Sequence, residues 1–421
     1  MVSDAAPRPS GPCSTSEPDR RPFTLSPFRG LRFSPDAVGD LGTVISPPYD
    51  VLDADTVRDL EAANRRNIVR LILARRFERP YLAVRDRLHK WRDKGYLRVD
   101  AEPALYVYEY TVDGSTVRGL IGLVGLRHED ERVILPHEDV MPGPVDDRTV
   151  LMRTTETNLE PILLVHEGTQ RQRDAISAAS PDRPVAEFEA LDGSAHRLWA
   201  ITEPAALQTI GHELAGTQAL IADGHHRYAA YLRLQQELRD PGRPDGGSPW
   251  DHGLALLVDQ HDHPLRVGPI HRSVTAVTMS DVSEVSADRG DEFRSFPDRE
   301  AAFAAQRAEG GNDAVSAFVV SDGRAWALLL TPRTSPVDAA VLHEVLLPAW
   351  RVADEQIGYH HSLDQALHTT ARQPGVVVAV HPPTVAQVME TAARGVRMPR
   401  KSTSFAPKPR MGVVMRDLQD A

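Results

Sequence analysis

Leu220-Ile221-Ala222-Asp223-Gly224-His225-His226-Arg227-Tyr228-Ala229-Ala230 is the stretch on which the reading of the chain turns. An apolar run stops at Asp-Gly. An amphipathic segment follows, in which Tyr231, Leu232, Leu234 and Leu238 recur at helical spacing. The pattern predicts a strand, a tight turn and a helix. Backbone N–H groups at a helix start have no intrahelical acceptor, and with the macrodipole they make an anion site. An ordinary helix start carries Ser, Thr or Asp, then acidic residues in its first turn. This one carries two histidines and an arginine, a gathering of potential positive charge that an anion between them would explain. The competing reading is a buried structural histidine pair.

Composition bounds the rest. A chain of 421 residues is long enough for two or three domains with large cores. Hydrophobic content of 41% and charged content of 25% fit a soluble globular protein rather than a disordered or membrane chain. A net charge of −11 and a pI near 5.9 weigh against a general binder of nucleic acid or anionic membrane, though a local basic cleft stays compatible. Cys13, the single cysteine, provides neither a disulfide framework nor a thiolate metal site. No apolar run approaches the roughly 18 residues of a membrane span. The N-terminus has no apolar signal-peptide core, so a cytoplasmic location is expected. Of the 48 basic residues only four are lysine: Lys90, Lys94, Lys401 and Lys408. A high-GC genome would convert Lys to Arg wherever either serves. Lys401 and Lys408 therefore hint at contacts that need a compact ammonium.

Taken in order, residues 1–22 read as a disordered tail rich in Pro, Ser, Asp and Arg. Ser46-Pro47-Pro48-Tyr49-Asp50 reads as a rigid loop presenting Tyr49 and Asp50, or else as a plain proline turn with Asp50 capping a helix at 54–63. A helix is expected at about 81–95, and a hairpin around Asp113-Gly114. His137-Glu138 closes a strand-like run, with a helix expected from Asp146 to Asn158. Leu254 to Asp259 reads as a buried strand. His261-Asp262-His263 lies in a turn without metalloprotease-type helical spacing, which weighs against a zinc site. His271-Arg272, ending a strand-like Val267–Ile270, is placed where it could reach the same cleft. From about 275 to 335 helices and strands alternate, and an apolar helix is expected at 338–350. The C-terminal Arg397–Pro409 is polar, but Met398 and Phe405 argue that it is anchored.

Five motifs then appear together: Pro-Pro-Tyr-Asp-Val at 47–51, Leu-Pro-His-Glu at 135–138, Asp-Gly-His-His-Arg-Tyr at 223–228, Gly-Tyr-His-His at 358–361 and Met-Pro-Arg-Lys-Ser-Thr-Ser-Phe-Ala-Pro-Lys at 398–408. In that order they resemble the domain-of-unknown-function 1015 family of bacteria and archaea, over nearly the whole chain from residue 22. That resemblance implies no activity. The shorter Asp-Gly-His-His-Arg is similar to the phosphate motif of the ParB/sulfiredoxin-like superfamily, in which free-serine kinases phosphorylate an unattached amino acid.

The expected fold is therefore α+β (mixed α/β), a ParB/sulfiredoxin-like nucleotide-binding core with additional mixed-sheet subdomains. The main domain is expected at 23–272, a smaller α/β subdomain at 273–395, and a segment at 396–421 returning to the active site. The leading functional expectation is a kinase that uses ATP or ADP with Mg²⁺ and acts on a small hydroxyl compound, serine or serine-like. Gly224, His225, His226, Arg227, Lys401 and Lys408 are assigned to the nucleotide. Asp223, Glu138 and His226 are the candidate catalytic groups, with Asp223 and Glu138 also the candidate magnesium ligands. Asp50, Tyr49, Arg148, His137, Ser402 and Thr403 are assigned to the substrate. No Walker or Rossmann glycine pattern is present. Two alternatives stay open: a metal-dependent phosphohydrolase, and a ParB-like nucleotide-responsive binding protein. The charge and the lack of a helix-turn-helix weigh against DNA as partner, and the sequence leaves the oligomeric state open.

Overall fold

Ala219–Asp223 is a strand, Gly224 turns the chain at φ +96°, and His225–Glu237 is a helix. The computed structural model of the protein describes residues 21–73, 79–239, 242, 246–309 and 312–419. Most of the expected tail and Cys13 lie outside the described residues.

The strand belongs to a nine-stranded mixed sheet. In spatial order this runs Ile134–Leu135, Ala219–Asp223, Ile162–His166, His252–Asp259, Ser115–Gly125, Leu105–Val112, Ala195–Ile201 and Ala186–Glu189, with Leu25–Ser26 paired onto Ser115–Gly125. Ile134–Leu135 runs parallel to Ala219–Asp223, with Ile134 opposite Ala219 and Leu135 opposite Leu220. Both strands therefore release their chains at the same end of the sheet, which delivers His137-Glu138 beside Gly224-His225. The hairpin at Asp113-Gly114 forms as expected, with both residues at positive φ. Gly253 to Val258 is buried on both faces, as its unbroken apolar run predicts.

A six-stranded antiparallel sheet follows the order Glu292–Phe296, Trp326–Pro332, Val315–Ser321, Gly375–Ala379, His271–Thr275 and Ile357–His360. The expected boundary at 272–273 falls inside its His271–Thr275 strand. Val267–Ile270 is not the strand that ends in His271-Arg272. Arg266–Gly268 instead forms a two-stranded ladder with Ser404–Ala406. One buried apolar cluster joins the sheets, with Leu254 and Leu256 from the first, Val274, Phe318 and Val378 from the second, and Met398 and Phe405 from the C-terminal segment.

The last segment is stitched in repeatedly. Met398 N–H donates to the His137 carbonyl at 2.8 Å, and Met411 and Ser46 exchange both backbone bonds at 2.8 and 3.2 Å. Met415–Asp417 then enters a four-stranded sheet between Gly30–Phe33 and Thr157–Asn158. Two local expectations need correcting. The helix Ala54–Ala63 is capped by Asp53, whose carboxylate accepts Thr56 N–H at 2.7 Å, so Asp50 is free for other partners. The helix expected from Asp146 starts at Pro142, because a proline suits the first turn, where its missing N–H is not needed. Among the described residues no helix is long and apolar enough to cross a membrane.

Candidate active site

Gly224 makes the turn possible. At φ +96° a side chain would be strained, and an added Cβ would lie 2.9 Å from Ile162 Cγ2. With glycine there, no side chain caps the helix, and its first turn holds no acidic residue. The residues that open the helix, Gly224, His225, His226 and Arg227, line a cavity of about 140 Å³. Across it stand Glu138, Tyr49, Asp50, Lys401, Thr403 and Lys408, so all five recognised stretches contribute: 135–138 gives Glu138 alone, 358–361 gives His361 alone, and the other three give several groups each.

The histidines are not the cations that the sequence implied. Burial, then the neighbouring His137 and His226, push His225 well below the usual imidazole range; burial, then Lys401 and Arg227, lower His226. Both rings are consequently neutral acceptors at their Nε2 atoms. His225 Nε2 takes His137 N–H at 3.4 Å, and His226 Nε2 takes Met141 N–H at 3.1 Å. Each ring therefore keeps its proton on Nδ1. His225 Nδ1 lies 3.7 Å from Glu138 Oε1.

Positive charge comes from elsewhere. Lys408 Nζ donates to Asp50 and Asp223, both at 2.6 Å, tying the proline loop, the central turn and the C-terminal segment together. Asp223 also accepts from Arg227 at 2.5 Å, while the other arm of Arg227 donates to the Pro161 carbonyl. Burial alone would raise the Asp223 carboxyl, but Lys408 and Arg227 outweigh it and hold it below the usual range. Asp223 is therefore an ion-paired anion and a poor proton acceptor. Glu138 differs. Burial raises its carboxyl to about 7 against the opposing pull of Lys401, and its Oε2 receives Ser402 N–H at 3.4 Å. Lys401 reaches the same cavity, and its ammonium makes no ion pair among the described residues.

Three residues assigned to the substrate stand behind the cavity rather than in its wall. The Arg148 side chain is 3% exposed, bonded to Asp147, Glu160 and the Ile72 carbonyl, and its guanidinium lies 4.5 Å from the Tyr49 ring centre. It supports Tyr49. His137 is fully buried, sharing a 2.7 Å hydrogen bond with Thr403 Oγ1 and meeting His225 edge-on at 4.5 Å. The Ser402 hydroxyl donates to the Pro399 carbonyl, so only its N–H serves the site. Arg227 does line the cavity, but its guanidinium already donates to Asp223 and to the Pro161 carbonyl.

Sequence reasoning missed one group. Glu160 is a buried carboxylate 3.1 Å from Arg148 and electrostatically coupled to Arg227; it lies outside any motif. Arg272 is fully buried and donates to the Lys401 carbonyl at 3.0 Å. His271-Arg272 was singled out as a pair that could reach the cleft, and the structure brings only Arg272 close to it.

Among the described residues no three His, Cys, Asp or Glu side chains are grouped to hold a metal ion. Of the two expected magnesium ligands, Asp223 has an oxygen on each of two cations, whereas Glu138 keeps more freedom. A magnesium ion that arrives on nucleotide phosphates needs only one or two protein carboxylates, so the site fits a nucleotide-borne ion better than a resident one.

No curated protein matches the chain. Among solved structures it is similar to a free serine kinase mutant in complex with AMP, at TM-score 0.40 and 16% identity over 72% of this chain and 94% of that one. The same mutant in complex with ADP gives TM-score 0.39 and 16% identity, with the same coverage. A conserved hypothetical protein from Pyrococcus furiosus gives TM-score 0.37 and 17% identity over 72% and 96%. At these values the likeness decides nothing about activity. Residues 25–356, well over half of the sequence, match a family described as "Protein of unknown function (DUF1015)", and the chain belongs to that family.

Proposed function

We propose that the protein is a phosphotransferase that moves a phosphoryl group from ATP or ADP to the hydroxyl of a small molecule, with free serine or a serine-like amino acid as acceptor. One observation carries the reading: an uncapped helix start and a carboxyl poised near neutrality open onto the same small cavity. Phosphoryl transfer asks for positioning and neutralisation of charge, and those are the parts present. Serine leads because of the Asp-Gly-His-His-Arg resemblance.

In this reading the N–H groups of His225 and His226 hold the transferring phosphate. Glu138 accepts the acceptor's hydroxyl proton as its oxygen bonds to phosphorus and the nucleotide leaves with the bridging oxygen. Lys401 neutralises the charge that develops, or pairs with the acceptor's carboxylate. Asp223 and Lys408 set the geometry and take no proton. Magnesium, carried in on the phosphates, would lower their charge, with Glu138 and Asp223 the nearest carboxylates. A volume of about 140 Å³ is below that of pockets which enclose a drug-sized ligand. It suits a phosphoryl group and a small acceptor, and it leaves the nucleoside outside. Metal-activated hydrolysis by the histidines gains no support, because both Nε2 atoms already accept N–H bonds.

The test is to incubate purified protein with Mg²⁺, ATP or ADP, and serine, threonine, homoserine or glycerate, and to follow phosphorus by NMR. The expected result is a phosphomonoester formed in step with the shortened nucleotide. Absence of a phosphomonoester with every acceptor contradicts the proposal, and free phosphate alone would point to hydrolysis.

A further inference from the structure

The Gly358-Tyr359-His360-His361 motif has no part in the chemistry above, although His361 lines the cavity. Its place in the fold gives it one. Ile357–His360 pairs with His271–Thr275 so that Tyr359 lies opposite Arg272, and the Arg272 guanidinium sits 4.6 Å from the Tyr359 ring centre. Arg272 is 0% exposed. No carboxylate pairs with it among the described residues; its donors go to the Ile270 carbonyl, to His343 Nε2 at 3.0 Å and to the Lys401 carbonyl at 3.0 Å. Burying a guanidinium without an anion is costly, and a sheet that needed only packing would hold an apolar residue there.

His343 completes the arrangement. It lies on a π-helical turn, Leu342–Leu346, a rare geometry that recurs at functional sites. Its ring stacks on Tyr359 at 6.2 Å with an interplanar angle of 11°. Burial, then Arg272, lowers its pKa to about 4, so it is neutral and can accept. At the other end of the guanidinium, Lys401 sits at φ +59°, a left-handed conformation unusual for lysine that persists only where surroundings enforce it. The next residue, Ser402, gives its N–H to Glu138.

We infer that Arg272 is a positioning residue: stacked on Tyr359 and bonded to His343, it fixes the Lys401 carbonyl, which aims the Lys401 ammonium into the cavity and the Ser402 N–H at Glu138. Its catalytic meaning rests on the phosphotransferase reading, but the geometric claim does not. The six-stranded sheet then has a defined task at the site: its edge carries His361 to the cavity directly and steers Lys401 through Arg272.

With only four lysines in the chain, the claim can be read without any reaction. Reductive methylation with ¹³C keeps each ammonium charged and gives one NMR signal per lysine, with Lys401 assigned from Lys401→Arg. In full-length Arg272→Ala the Lys401 signal should move or broaden, while Lys408, held by Asp50 and Asp223, should stay. Tyr359→Leu should shift Lys401 in the same way, and it replaces Arg272→Ala if that variant does not fold. In transfer assays the acceptor KM should rise about tenfold with a smaller change in kcat, and millimolar guanidinium should restore part of the loss in Arg272→Ala. An unmoved Lys401 signal in a folded variant overturns the positioning claim. A moved signal in a protein that transfers no phosphoryl group sustains it and overturns the phosphotransferase reading instead.

Discussion

One wall of the cavity, Asp223 to Arg227, is a strand end and a helix start adjacent in sequence and bound to each other by the Asp223–Arg227 pair. The other, Lys401 to Lys408, comes from the far end of the chain, and its course is set by the Met398 N–H bond to the His137 carbonyl just before it, by the Arg272 guanidinium donating to the Lys401 carbonyl, by the Lys408 ion pairs and by the short ladder with Arg266–Gly268. The first wall is made rigid by local geometry and offers fixed dipoles. The second is a segment held by distant partners and offers side-chain charge, on Lys401 and Lys408. A site divided in this way can keep the dipoles of its helix start constant while the C-terminal segment determines which charges stand beside them. Substitutions in the first wall, and at Lys408 that ties the two walls together, should therefore cost stability, whereas one at Lys401 should mainly cost binding.

The largest effect on this contrast should come from Arg227→Ala. It would take from buried Asp223 and Glu160 one of the two cations each faces, leaving only Lys408 and Arg148, and it would leave the Pro161 carbonyl without its guanidinium donor, for a loss of about 3–5 kcal/mol in urea unfolding. A loss below 1 kcal/mol would mean that the guanidinium is not structural. Lys408→Met unties the walls from each other and should cost about 1–3 kcal/mol by the same measurement. Gly224→Ala must accommodate both the positive φ and the contact with Ile162, again at about 1–3 kcal/mol; a neutral result would show that the turn can relax.

Glu138→Gln should act in the opposite direction. A carboxyl raised in the folded state contributes stability that is full below its unfolded pKa and is lost as pH climbs through about 7. Removing it should therefore stabilise the protein at pH 8 by about 1–3 kcal/mol, and leave little difference at pH 4. Equal thermal unfolding of the two proteins at pH 8 would contradict the burial argument. Lys401→Gln should change stability least, by under about 0.5 kcal/mol, yet weaken binding of an anionic acceptor measured by calorimetry.

The same contrast explains what could be read from the sequence. The Leu220–Ala230 pattern announces its strand, turn and helix because every determinant is local. The Asp113-Gly114 hairpin was legible for the same reason. The scarcity of lysine pointed to Lys401 and Lys408, and both reach the cavity, whereas Lys90 lies exposed on the Pro80–Asp93 helix and Lys94 lies exposed at its C-cap. Motif order brought Tyr49, Asp50, Glu138 and Thr403 into view. What stayed hidden depends on distant partners. That Arg148 turns inward is decided by Glu160, that the histidines are neutral is decided by burial, and that Arg272 meets Lys401 is decided by a sheet pairing with no local signature. The capping role passed from Asp50 to Asp53 because one turn of register separates two equally suitable residues.

The central claim is that Glu138, facing the uncapped helix start, takes the acceptor's proton. The direct measurement is the pH dependence of kcat/KM for phosphorylation of the acceptor, in the wild-type protein and in Glu138→Gln. The rate should fall about tenfold per unit as pH drops below about 7, where Glu138 becomes protonated, and level off above it. In Glu138→Gln that limb should vanish and the plateau should fall by about 10²–10⁴-fold with nucleotide affinity unchanged. A wild-type limb that survives intact in Glu138→Gln would contradict the account.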